Sequence, residues 1–328
     1  MIERSEIRLP ATADEWHETS RQTRVALWRL LGDLPAPRTP QAQIVSRESR
    51  DGYTLEKIVF PNLLGDTVYG YMLVPGTGSG PFPAVLYQHA HGGDYERGKD
   101  ELFHPGTIGR PPGEALVRQG YAVLAIDAYA FGERQRQGPA GERETGRETE
   151  WSLFKHFLWQ GKNLWGMMVH DDLLALEYLL TRPEVDASRV GVTGMSMGGS
   201  RATWLAALDE RVRVVIPVCQ MTRYADLAAH GDYACHSFYY YVPGILGHGL
   251  DMELIASLAA PRAQLVLVGD QDPLSPIEGV HTIAGFARHV YDLYDAGDRY
   301  ALMVYEGIGH RYTPEMFDAV LDWLQRHL

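Results

Sequence analysis

The stretch RVGVTGMSMGGSRATWLAAL, residues 189–208, decides how this chain is read. Its first half is a short run of apolar and small residues, and its second half places alanines, Trp204 and Leu205 at helical spacing. Between them stands Gly194-Met195-Ser196-Met197-Gly198, a G-x-S-x-G. A serine in a tight strand-to-helix turn needs small neighbours two residues away on each side, because the backbone there passes close to itself. The run therefore predicts a buried strand, a sharp turn with Ser196 at its tip, and a helix.

Working outward, similar apolar runs recur at 83–90, 121–129, 212–219, 263–272 and 299–306, separated by helical patterns at 112–119, 163–181, 276–295 and 314–327. Continuous rather than alternating hydrophobicity marks strands covered on both faces. The prediction is an α/β fold with a mostly parallel central sheet and helices on either side. YTLEKIVF and TVYGYMLVP, separated by PNLLGD, read as an antiparallel hairpin at its leading edge. Upstream, Thr12 and Glu15 have capping-box spacing and open a helix that stops at Gly32, followed by the proline-rich connector DLPAPRTP. The expected organisation is an N-terminal helical extension and linker over 1–40 and a catalytic body over 41–328. Two insertions, near 130–160 and 220–258, break its rhythm.

A serine hydroxyl is a weak nucleophile until a base takes its proton, and the base must be held by a carboxylate. In a sheet of this kind the order along the chain is serine, acid, histidine, each after a later strand. LVLVGDQDPLSP offers Asp270 and Asp272. Asp272 is the expected acid, since it lies farther into the loop, where its side chain can turn back to the site. YEGIGHRYTPE places His310 after the last strand, whereas His281 and His289 fall in a predicted helix and His327 is terminal. Two backbone amides must also face the oxyanion. They are assigned to Met197, directly after the serine, and to His91 in the HAHGG bend. HAHGGD fails as a binuclear zinc motif, H-x-H-x-D-H, because Gly93 stands at the aspartate position and Tyr95 follows Asp94. No metal or cofactor is expected.

These residues in this order resemble the α/β-hydrolase fold. GKNLWGMMVHDDLLALEYLLTRPEVDASRVGVTGMSMGGSRATWLAALDERVRVVIPVC and YYYVPGILGHGLDMELIASLAAPRAQLVLVGDQDPLSP are similar to the acetyl xylan esterase and dienelactone hydrolase-like branch. The resemblance covers roughly residues 50–328 and implies a serine esterase carrying Ser196, Asp272 and His310. Two departures stand out. Ala90 occupies a position where many relatives have glycine in an H-G-x oxyanion loop. Dienelactone hydrolases proper carry a cysteine nucleophile, where this chain has serine.

The expected activity is a serine carboxylic ester hydrolase that forms an acyl-enzyme on small acyl esters, acetyl esters included. The alternatives are a prolyl-oligopeptidase-like serine peptidase, disfavoured because the chain lacks the large repeat domain that gates peptides, and a non-catalytic ligand-binding homologue. Aromatics crowd both insertions, and Tyr239, Tyr240, His236 and Trp159 are the candidate substrate contacts; packing of the insertions onto the body is the competing explanation. The partner expected is a small-molecule ester. A formal charge of -12 with no Lys/Arg run argues against nucleic acid and anionic membranes. The two cysteines, Cys219 and Cys235, form no disulfide framework, no signal-peptide pattern opens the sequence, and no apolar stretch reaches the roughly 18 residues of a spanning helix, so a cytoplasmic location is expected. The N-terminal helix covers either the body or a symmetry mate, which leaves a homodimer open.

Overall fold

The computed structural model describes residues 7–230 and 233–328. Nine strands form one sheet in the order β1-β2-β3-β5-β4-β6-β7-β8-β9. The strands β4 (Phe82–Gln88), β5 (Ala122–Ile126), β6 (Val185–Met195), β7 (Val214–Val218), β8 (Ala263–Gly269) and β9 (Tyr300–Tyr305) run parallel. β2 (Tyr53–Pro61) and β3 (Thr67–Pro75) are the expected antiparallel hairpin.

One strand was not expected. β1 (Gln43–Arg50) pairs antiparallel with β2 at the sheet edge, and every one of its residues is exposed. QIVSRESR has no buried face and so no apolar signature; its charges suit an edge that must not recruit another strand.

The central strands alternate between two cores. Ala84 and Leu86 of β4 face one side with Val266 and Val268 of β8; Val85 and Tyr87 face the other with Leu265 and Leu267. The first side is covered by α1 (Ala13–Leu30), α4 (Leu164–Thr181), α5 (Met197–Leu208), α7 (Met252–Ser257) and α8 (Ile277–Asp292). The second is covered by α2 (Pro112–Arg118) and α9 (Pro314–His327). Thr12 caps α1 by accepting the Glu15 amide, while Glu15 returns its carboxylate to the Ala11 amide, one residue earlier than a capping box has it. α1 packs on its own body: Trp16 meets Phe286 edge to face, and Arg24 donates to the carbonyls of Ala207 and Leu258.

The insertions contain helices too. α3 (Arg147–Trp159) closes the first, and α6 (Tyr224–His230) and α7 lie in the second. No helix among the described residues is long and apolar enough to cross a membrane.

Candidate active site

Ser196 sits between β6 and α5 with φ +55° and ψ −116°, a conformation strained for a residue with a side chain. The flanking glycines are required by a close approach to the end of β4. A Cβ on Gly194 would fall 2.1 Å from the Gln88 carbonyl oxygen, and one on Gly198 only 1.9 Å from it. The turn is pinned from the other side by the Ser196 amide donating to Val218 O at 2.8 Å. Below it, buried Arg201 of α5 meets buried Asp172 of α4 through two bonds of 2.9 and 2.5 Å, fixing one helix against the other.

Ser196, His310 and Asp272 come together. Ser196 Oγ lies 3.0 Å from His310 Nε2, and His310 Nδ1 lies 2.8 Å from Asp272 Oδ2. With a carboxylate at Nδ1, that nitrogen carries the hydrogen and Nε2 is left to accept from the serine. Asp272 is buried, and its other oxygen accepts the Leu274 amide at 2.9 Å. Asp270, the neighbouring acid, instead accepts the Gly307 amide at 2.7 Å, holding the loops after β8 and β9 together.

The bend after β4 is held by residues that sequence reasoning did not single out. Glu150 of α3, buried, accepts from His91 Nε2 at 3.1 Å, from Ser237 Oγ at 2.6 Å and from the Tyr95 hydroxyl. His91 Nδ1 accepts the Gly93 amide, which fixes the hydrogen on Nε2. Burial pushes the Glu150 carboxyl up, but the hydrogen bonds from His91, Ser237 and Tyr95 outweigh it and hold the group below its ordinary value. Glu150 thus joins the His91 bend to both insertions. Glu101 takes the Ala90 amide at 2.9 Å and the Tyr87 hydroxyl at 2.7 Å. His89, fully buried, donates from Nδ1 to Ala90 O and accepts the Ala128 amide at Nε2, so it shapes the loop as a neutral ring. Burial drives its pKa well below the ordinary histidine value. A glutamate in RETEWSLF carries no sequence signal that separates it from a solvated helix face.

Ser196 and His310 open onto a cleft of about 750 Å³ walled by His91, Trp151, Phe154, Phe238 and Tyr239, with Arg147 at its edge. Directly behind the serine lies a crevice of about 10 Å³, lined by Ser196, His236, Tyr239 and Tyr240 among others. Tyr239 stacks on His91 with ring centroids 5.6 Å apart. Tyr240 stacks on His236 at 4.2 Å and donates its hydroxyl to Thr222 O. Three of the four expected pocket residues therefore surround the serine. Trp159 does not: at the end of α3 it is 91% exposed, and it lines neither the cleft nor the crevice. Position along α3 separates them: Trp151, 42% exposed, and half-buried Phe154 lie in its first turns and line the cleft, while its last residue clears the body. Met197, the residue assigned the first oxyanion amide, is buried at the start of α5, and His91, assigned the second, borders the same cleft as Ser196. Cys219 is a free, buried thiol, pushed up to about 12 by burial first and by Asp272 second.

A mostly parallel sheet, a strained serine after the inner strand β6 and acid and histidine on later loops define an α/β-hydrolase. The chain belongs to the dienelactone hydrolase family, whose pattern matches residues 111–316. It is 38% identical to YtaP of Bacillus subtilis (strain 168) over 309 residues, 94% of this chain and 99% of that protein. Among solved structures it superposes on an assigned acetyl xylan esterase from Bacteroides fragilis NCTC 9343 with a TM-score of 0.75 at 18% identity, covering 98% of this chain and 91% of that one. It superposes on a glucuronoyl esterase from Solibacter usitatus with a TM-score of 0.70 at 17% identity, covering 99% of each. At these identities the structural likeness is one of fold.

Proposed function

We propose that the protein is a serine carboxylic ester hydrolase that forms an acyl-enzyme on Ser196 and favours small acyl groups, acetyl among them. The observation that carries this is the continuous hydrogen-bonded chain from Ser196 Oγ through His310 to Asp272, at 3.0 and 2.8 Å, on a serine held at φ +55°.

In the first half-reaction His310 Nε2 takes the hydroxyl proton as Ser196 Oγ bonds to the ester carbonyl carbon. The carbonyl oxygen, now anionic, receives the amides of Met197 and His91. The carbon–oxygen bond to the alcohol then breaks, and the proton passes from Nε2 to the leaving oxygen. In the second half a water gives its proton to Nε2 and its oxygen to the acyl carbon, and Ser196 leaves with the proton restored. Asp272 keeps the ring in the tautomer this requires and balances the imidazolium charge.

Preference for small acyl groups is supported by the crevice behind Ser196, which at about 10 Å³ has room for roughly one water-sized group. The alcohol would lie in the wider aromatic cleft. A small-molecule ester is thus the expected partner. Turnover of p-nitrophenyl acetate beside a dipeptide p-nitroanilide tests the reading: acetate turnover that Ser196→Ala abolishes supports it. Turnover of the anilide alone, or none of either substrate, overturns it.

A further inference from the structure

The opposite rim of the sheet carries a second concavity. β7, β8 and β9 are parallel, so their first residues, Val214, Ala263 and Tyr300, lie at the rim away from Asp272 and His310. The seven residues of β8, at about 3.3 Å each, put the two rims roughly 20 Å apart. At that far rim a cavity of about 520 Å³ is lined by Arg24, Arg213, Arg262, Arg299, Arg326 and His327. Glu210 is the one carboxylate lining it among the described residues.

These cations are not equivalent. Arg24 is ion-paired with Glu210 at 3.1 Å. Arg262 spends its donors on the carbonyls of Ala206, Asp209, Val212, Leu258 and Ala259, so it lends charge but no free hydrogens. Burial, with Arg24 adding to it, pulls this guanidinium down to about 10. Arg326 meets Asp322 only at 4.0 Å. Arg213 and Arg299 have no carboxylate partner among the described residues. Arg299 has one long contact, 3.5 Å, to Pro261 O. Asp298 lies close enough to act on His327, where Arg326 and Arg299 oppose it.

Gathering like charges in one concavity costs free energy that an anion would relieve, and it happens in a chain whose net charge is -12. The guanidinium fork matches phosphate oxygens two at a time. We propose that this cavity binds a small, multiply charged anion of the phosphate class, the diphosphate group shared by inorganic pyrophosphate and nucleoside diphosphates, at a site separate from the serine. The proposal does not rest on the ester reading.

Calorimetric titration of the whole protein at fixed ionic strength tests it, with sodium pyrophosphate and a nucleoside diphosphate as separate probes. The expected result is saturable binding of one anion per chain, weakened at least tenfold in an Arg213→Ser/Arg299→Ser double variant. The Lys pair, Arg213→Lys/Arg299→Lys, keeps the charge without the fork and should fall between the two. Arg147→Gln, at the edge of the ester cleft, should bind as the wild type does. Tighter binding of the nucleotide assigns a nucleoside source, and equal binding assigns the phosphate group alone. If the double Ser variant fails to fold by circular dichroism, the Lys pair decides: affinity within twofold of wild type overturns the proposal. So does an absence of saturable binding to the wild type, or loss of binding in Arg147→Gln.

Discussion

Gly198→Ala perturbs the site by a single methyl group whose collision can be stated in advance. Gly198 is not in the left-handed region, so alanine is conformationally acceptable there, and in a helix it would ordinarily be favoured by up to about 1 kcal/mol. The obstacle is the end of β4: the new Cβ would stand 1.9 Å from the Gln88 carbonyl oxygen, about 1 Å closer than such atoms approach. Neither neighbour can yield alone, because Gln88 belongs to β4 and Gly198 to the first turn of α5. The turn must therefore shift by roughly 1 Å, a displacement of the size that costs about 100-fold in rate when it misplaces a reacting group. Overpacking of this kind also costs about 1–3 kcal/mol of stability. The assay is kcat for p-nitrophenyl acetate together with Tm. Gly285→Ala in α8, where a Cβ would meet nothing within 4 Å, is the control and should leave kcat unchanged with Tm equal or higher. A Gly198→Ala protein with wild-type kcat and Tm would refute the close-approach account of the turn.

Three further outcomes follow from the same contacts. Glu150→Gln removes the charge that takes hydrogen bonds from His91, Ser237 and Tyr95. Each such bond to a charged group contributes about 1.5–3 kcal/mol, and the loosened His91 bend should lower kcat about 10-fold or more with a smaller change in KM. An effect confined to KM would contradict this. His89 is held neutral, with its folded pKa below the ordinary value of about 6.5; between the two values the unfolded chain binds a proton that the folded one does not. Stability should therefore fall as pH drops below about 6.5, by up to about 1.4 kcal/mol per unit, and His89→Gln should remove that part of the slope in denaturant titrations. Lengthening the acyl chain from acetyl to propionyl to butyryl presses each added methylene into the crevice behind Ser196. It should lower kcat/KM about 10-fold or more per step, and a rise along the series would contradict the assigned acyl site.

Much of this architecture was legible because its signals are local. The strands β4 to β8 are covered on both faces and announce themselves as apolar runs, while β9 carries the same kind of run as an edge strand with Met303 and Val304 exposed; the serine turn shows itself through two glycines that a close backbone contact demands. β1 was silent, since an exposed edge strand has no buried face to pattern. Asp272 was separable from Asp270 by loop position alone, and the difference is physical: one reaches His310 while the other ties down Gly307. Glu150, Glu101 and the arginine cavity left no trace in the sequence. Their meaning comes from residues tens to hundreds of positions apart, as with Arg24 and Arg326, which only the closed sheet brings together. Trp159 shows the converse error, an aromatic counted for its segment when its position on the helix turns it to solvent.

The most direct test of the central claim is intact mass after treatment with a fluorophosphonate. A hydroxyl that His310 can deprotonate should take one phosphonyl group per chain, mapped to Ser196 by peptide mass, with no adduct on Ser196→Ala and labelling slowed at least 100-fold in His310→Ala. A wild-type protein that stays unlabelled, or a Ser196→Ala protein that labels as fast as wild type, would contradict it.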